Sequence, residues 1–181
     1  MKKTYVIDTN VLIQNPDALH CFEDNNLILP LVVVEELDGL KKNEGENGSN
    51  ARSAVRVLES YRNKGDLLKG VKLEQGGTLR IEKNFKDVEL PPDLPEDKAD
   101  NRILKVCLGL FQQRKRGQQI VLVTKDIVLR LKAQILGLRA EDFTTEQISE
   151  DDNMYLGRSQ AYIPRFEVFV PCIPSIPVYL R

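Results

Sequence analysis

The chain has 181 residues, of which 41% are apolar and 29% charged, and its formal net charge is -1. This length buries a core without disulfide or metal staples, and the composition is ordinary for a globular protein. The near-neutral balance excludes a surface that is basic throughout, so any nucleic-acid contact must come from a local basic patch.

Cysteine usage narrows the class further. Cys21, Cys107 and Cys172 lie far apart and the only histidine is His20, so neither a disulfide framework nor a structural zinc site is expected. No signal peptide and no apolar run of membrane-spanning length is visible, and the expected location is the cytoplasm, away from membrane.

Thr4–Ile7 reads as a buried strand ending in Asp8. Pro16–Asp24 is expected to hold a short helix with proline at an early position. Leu27–Pro30 is a second strand. LVVVEELDGLKK, Leu31–Lys42, is ambiguous at its β-branched start and helical by Glu35. NEGENGSN, Asn43–Asn50, is polar and glycine-rich and reads as a mobile loop. Ala51–Asn63 is helical, with Ala51, Ala54, Val55, Leu58 and Tyr61 on one face.

Thr78–Glu82 is a strand, and LPPDLP, Leu90–Pro95, is a loop held extended by its prolines. A long helix follows over Asp97–Arg114. Gln119–Thr124 has the continuous apolar character of a central parallel strand. Asp126–Leu136 is a helix with Gly137 as its terminal cap, and Leu138–Ala140 a last short strand. Strand alternating with helix predicts an α/β sandwich around a parallel sheet, over residues 1–147. From Ile148 the character changes: four of the nine prolines fall between Pro164 and Pro177, among apolar and aromatic residues. Residues 148–181 therefore read as a C-terminal extension or a truncated interdomain segment.

In an open α/β sheet, ligands sit outside the carboxyl ends of the strands. Asp8 ends the first strand, and Asp126 follows QIVLVT closely, so both project from one edge. Each also precedes a helix and serves equally well as an N-cap. Two glutamates stand side by side in the second helix, and the apolar spacing does not separate Glu35 from Glu36. Asp100 heads an otherwise apolar stripe of Ile103, Leu104, Cys107, Leu108 and Phe111, which turns the acid toward the sheet. Asp97 lies one turn earlier and reads first as an acid favouring the helix dipole. Clustered carboxylates repel one another, and a hard divalent cation such as Mg2+ or Mn2+ resolves this. Such a set suits phosphodiester hydrolysis and needs no serine, cysteine or histidine nucleophile.

These residues resemble a known family. VIDTNVL at Asp8, VVVEELDGLKK at Glu36, DNRIL at Asp100 and LVTKD at Asp126 are similar, in order, to motifs of the PIN (PilT N-terminus) domain nucleases. The likeness covers roughly residues 3–145. GSNARSAVRVL, Gly48–Leu58, adds a likeness to the PIN domains that precede a PhoH-like ATPase. The resemblance selects Glu36 over Glu35. It implies a Rossmann-like three-layer sandwich and metal-dependent endonuclease activity, chiefly on single-stranded RNA. It further implies Asp8, Glu36, Asp100 and Asp126 as catalytic metal ligands, with Asn10, Asp97 and Thr124 in support. The chain has no GxxxxGK[ST] phosphate loop, so an ATPase partner lies outside it or the chain stands alone.

An acidic site needs basic surroundings to hold RNA. Lys41, Lys42, Arg52, Arg56 and Lys125 are the expected contacts. Arg114–Arg116 sit at the far end of their helix, where basic residues favour the dipole. Aromatic residues for base stacking are sparse, so weak sequence preference is expected. The competing reading is a non-catalytic PIN-like module that binds RNA or an ATPase. A toxin-type nuclease is disfavoured by the length of Lys64–Pro95 and of the tail, while a DNA nuclease shares the same chemistry. The apolar tail suggests a homo-oligomer or an interdomain contact.

Overall fold

The structure is a computed structural model and describes residues 2–144. The domain boundary expected at residue 148, the C-terminal extension and its expected role in assembly lie outside the described residues. β1 (Thr4–Ile7), β2 (Asn26–Pro30), β4 (Thr78–Glu82), β5 (Ile120–Val123) and β6 (Arg139–Glu141) run parallel, and β3 (Val71–Lys72) pairs antiparallel with β4. The strand order is β3-β4-β2-β1-β5-β6. Helices α1 (Thr9–Gln14), α2 (Leu31–Leu40), α3 (Glu46–Arg62), α4 (Ala99–Gln113) and α5 (Ile127–Ile135) flank the sheet. The expected α/β architecture is the one observed. Among the described residues no helix is long and apolar enough to cross a membrane.

Every residue of β1 and β5 is buried, which is why both read as unbroken apolar runs. α4 buries Ile103, Leu104, Val106, Cys107 and Leu110. Gly137 ends α5 at φ +68°, and the Leu138 amide donates to the Ala133 carbonyl at 2.9 Å, closing the helix as its sequence suggested.

Several boundaries differ from expectation. A helix fills Thr9–Gln14 directly after Asp8, and the expected Pro16–Asp24 helix shrinks to one 3-10 turn at Ala18–His20. β3 has only two residues, too short for a periodicity signal. The expected loop Asn43–Asn50 is helical from Glu46. Gly48 is there for close approach, not mobility: a Cβ on it would lie 1.9 Å from the Asn43 carbonyl oxygen. Gly48→Ala is expected to cost about 1–3 kcal/mol, because backbone must move to admit the methyl group. The urea midpoint should fall at unchanged slope.

Candidate active site

The strand order reverses direction at β1, with β2 on one side and β5 on the other. A crevice therefore opens at the carboxyl ends of β1 and β5. Asp8, Thr9, Asn10, Ile13, Glu36, Leu40, Asp100 and Asp126 line one cleft of about 270 Å³ there. The four acids arrive from four separate places: the end of β1, α2, the first turn of α4 and the start of α5.

Asp8 and Asp126 are helix caps as well as cleft residues. The Asp8 carboxylate accepts from the Thr9 amide at 2.6 Å, and Asp126 Oδ1 accepts from the amides of Val128 and Leu129 at 2.7 and 3.4 Å. Capping uses one oxygen of each and leaves the other free of that duty.

Thr124 fastens the floor of the cleft and is fully buried. Its hydroxyl donates to Asp8 Oδ2 at 2.5 Å and accepts from Asn10 Nδ2 at 3.2 Å and the Asp126 amide at 3.0 Å. Asn10 Oδ1 in turn accepts from the Lys125 amide at 3.1 Å. Two residues thus tie the end of β1 to the turn after β5. Thr124→Val keeps the shape and strands three polar groups, so a loss of about 2–3 kcal/mol is expected in thermal or urea unfolding.

Glu36 accepts from the Thr9 hydroxyl, while Glu35 is exposed and pairs with Arg102 at 3.2 Å. Tertiary partners separate the two glutamates where apolar spacing did not. Asp100 Oδ2 accepts from Lys132 Nζ at 3.2 Å. Thr9 and Lys132 were missed in the sequence. Thr9 sits between Asp8 and Asn10 and gave no signal of its own, and Lys132 meets its partner 32 residues away in sequence.

Asp97 is exposed, precedes α4, which begins at Ala99, and does not line the cleft. The expected basic contacts are also outside the lining. Lys41 pairs with Asp38, and Arg52 Nη1 donates to the carbonyls of Lys41 and Asn43 at 2.9 and 3.2 Å. Lys125 Nζ donates to the Phe143 carbonyl at 2.8 Å. Lys42 and Arg56 are exposed and in no ion pair among the described residues.

Burial pushes the Asp8 carboxyl up to about 6; hydrogen bonds from Thr124 and the Thr9 amide oppose the rise, and the charges of Glu36 and Asp100 add to it. The cleft therefore concentrates negative charge that is costly to keep. The donors are all hard oxygens, the set that suits Mg2+ or Mn2+. As the side chains stand, no three acids among the described residues converge closely enough to close a metal site. In this arrangement Asp126 Oδ1 is turned to the α5 backbone and Asp100 Oδ2 to Lys132. Cys107, buried in α4, has its thiol pushed up by burial and by the charge of Asp8, and is no nucleophile.

The PIN domain family model matches residues 5–144, a span that contains all four acids. Protein PhoH2 of Bacillus subtilis is 42% identical over 167 residues, covering 90% of this chain and 38% of that protein. Protein PhoH2 of Mycolicibacterium smegmatis is 38% identical over 149 residues, covering 81% of this chain and 33% of that protein. The chain thus spans about a third of the length of these curated relatives. A PilT N-terminus domain protein from Sulfolobus solfataricus superposes with a TM-score of 0.50 at 12% identity, over 87% of this chain and 99% of that one, which speaks to the fold. A parallel α/β sheet with acids at its switch point, matched by the family model over nearly all the described residues, makes this chain a member of the PIN domain family.

Proposed function

We propose that the chain is a metal-dependent endonuclease that hydrolyses phosphodiester bonds of single-stranded RNA in the four-acid cleft. The observation that carries this reading is the meeting of Asp8, Glu36, Asp100 and Asp126 in one cleft, in a member of the PIN domain family. These four are the residues that would hold Mg2+ or Mn2+. Such an ion, when bound, lowers the pKa of water and offsets charge gathering on the phosphoryl oxygens.

The chain's own residues prepare the cleft for that task. Thr124 and the Thr9 amide fix the Asp8 carboxylate, and the Thr9 hydroxyl fixes Glu36. Asn10 holds the two acidic turns together through Thr124 and the Lys125 amide. Lys42 and Arg56 are available to phosphates, while Lys41, Arg52 and Lys125 would first exchange protein partners. Among the described residues no aromatic side chain lines the cleft, which supports recognition through backbone charge and weak base preference.

The length of the PhoH2 relatives supports a PhoH-like ATPase as the partner domain in a longer protein. It also favours the second reading, a non-catalytic RNA-binding or interaction module of such a protein. An end-labelled single-stranded RNA separates the two. Internal cuts with Mn2+ that vanish with EDTA are expected of the nuclease. A folded protein that binds Mn2+ and cuts neither RNA nor DNA overturns it in favour of the module.

A further inference from the structure

Lys132 is the one cation bonded to any of the four acids among the described residues. Its side chain is 19% exposed, against 41% for its partner Asp100. The aliphatic stem is therefore packed and the ammonium is delivered to the acid at the cleft, not left to solvent. The neighbouring cation of α5, Arg130, is occupied elsewhere, by the Thr124 carbonyl at 3.2 Å and Asp142 at 3.0 Å. One helix thus carries an acid of the cleft as its cap, Asp126, and further along a lysine that faces the acid of α4.

An ammonium and a divalent cation drawn to the same carboxylate repel each other at short range. Lysine answers such competition easily, since its charge rides on a flexible stem. Lys132 touches the cleft only through Asp100 and does not itself line it, so once the cation has Asp100 the ammonium is free for a phosphodiester held there. The geometry points to Lys132 as a substrate-phosphate-holding residue that pairs with Asp100 in the metal-free protein and is released to the RNA when that carboxylate takes its metal. This inference rests on the proposed metal-dependent reading. Lys132 makes and breaks no covalent bond; it holds a non-bridging phosphate oxygen and thereby fixes where the strand lies.

Two variants and two titrations test this. Mn2+ binding to the full chain is measured by calorimetry, and binding of a short labelled oligouridylate by anisotropy, in Ca2+ and in EDTA. Lys132→Met is expected to bind Mn2+ about three- to tenfold more tightly, because the competing charge is gone. In Ca2+ its oligouridylate affinity should fall several-fold and the salt slope should become shallower by about one. Lys132→Arg should restore that slope. In EDTA the difference between wild type and Lys132→Met should be smaller than in Ca2+, since Asp100 then holds the ammonium. A purely structural lysine would change unfolding temperature and leave the slope alone.

Unchanged or weaker Mn2+ binding by Lys132→Met, or a wild-type slope in Ca2+, overturns the inference while the nuclease reading stands. The expected binding pattern without any cleavage leaves Lys132 as inferred and removes the nuclease. A wild type that takes no metal at the four acids removes both.

Discussion

Asp100→Asn is expected to slow metal-dependent RNA cleavage by at least about a hundredfold, since even the residues that only orient metal ligands cost ten- to a hundredfold. The same substitution should hardly change stability. Asp100 stands in the first turn of α4 with a side chain 41% exposed, and its bonded partner is Lys132. Asparagine keeps the shape, removes one charge from the helix start and weakens the bond from Lys132, together worth about 1 kcal/mol or less at such exposure. Single-turnover cleavage and thermal unfolding should therefore separate: activity collapses and the melting temperature stays. Wild-type cleavage by the variant would take Asp100 out of the site.

Asp8 is expected to behave in the opposite way, because it is buried. Its folded carboxyl is raised to about 6 from an ordinary 3.8. The folded state then holds the proton more tightly than the unfolded chain. The contribution to stability is full below the ordinary carboxyl range and is lost as pH rises through about 6. Over that window the metal-free protein should lose about 3 kcal/mol through this one group. Asp8→Asn removes the dependence, so the wild type should gain on the variant as the solution is acidified. On the proposed reading a divalent cation would take over the task of the proton, so Mn2+ should stabilise the wild type strongly above pH 7 and much less near pH 5. Urea unfolding of both proteins across this range measures it, and parallel curves would contradict the raised carboxyl.

The cost of holding Asp8 charged ties the fold to the proposed chemistry. The residues that would carry function sit where the sheet cannot satisfy them by itself. Thr9, Asn10 and Thr124 supply the hydrogen bonds that keep the acids in place.

How much of this was legible in the sequence varies by residue. β1 and β5 were plain because burial on both faces leaves no polar position to confuse the pattern. Asp100 was plain because an acid at the head of an apolar stripe has few other places to point. Glu35 and Glu36 were not separable by spacing, since Arg102 and Thr9, far off in sequence, decide which faces the cleft. The helix expected from Asp97 begins two residues later, at Ala99, so Asp97 lies just outside its first turn. The Asn43–Asn50 stretch misled through its glycines: Gly48 serves a close backbone approach inside a helix, and Arg52 is engaged by the adjoining carbonyls. Lys132 gave no local signal at all, because its role exists only where α4 and α5 meet.

On the proposed reading the four acids act together as one cation site. The most direct measurement is a calorimetric Mn2+ titration of the wild type beside Asp8→Asn, Glu36→Gln, Asp100→Asn and Asp126→Asn. Each variant should bind at least about tenfold more weakly than the wild type, as loss of a ligand exceeds loss of an outer support. Equal affinity across the wild type and all four variants would rule out a shared cation site.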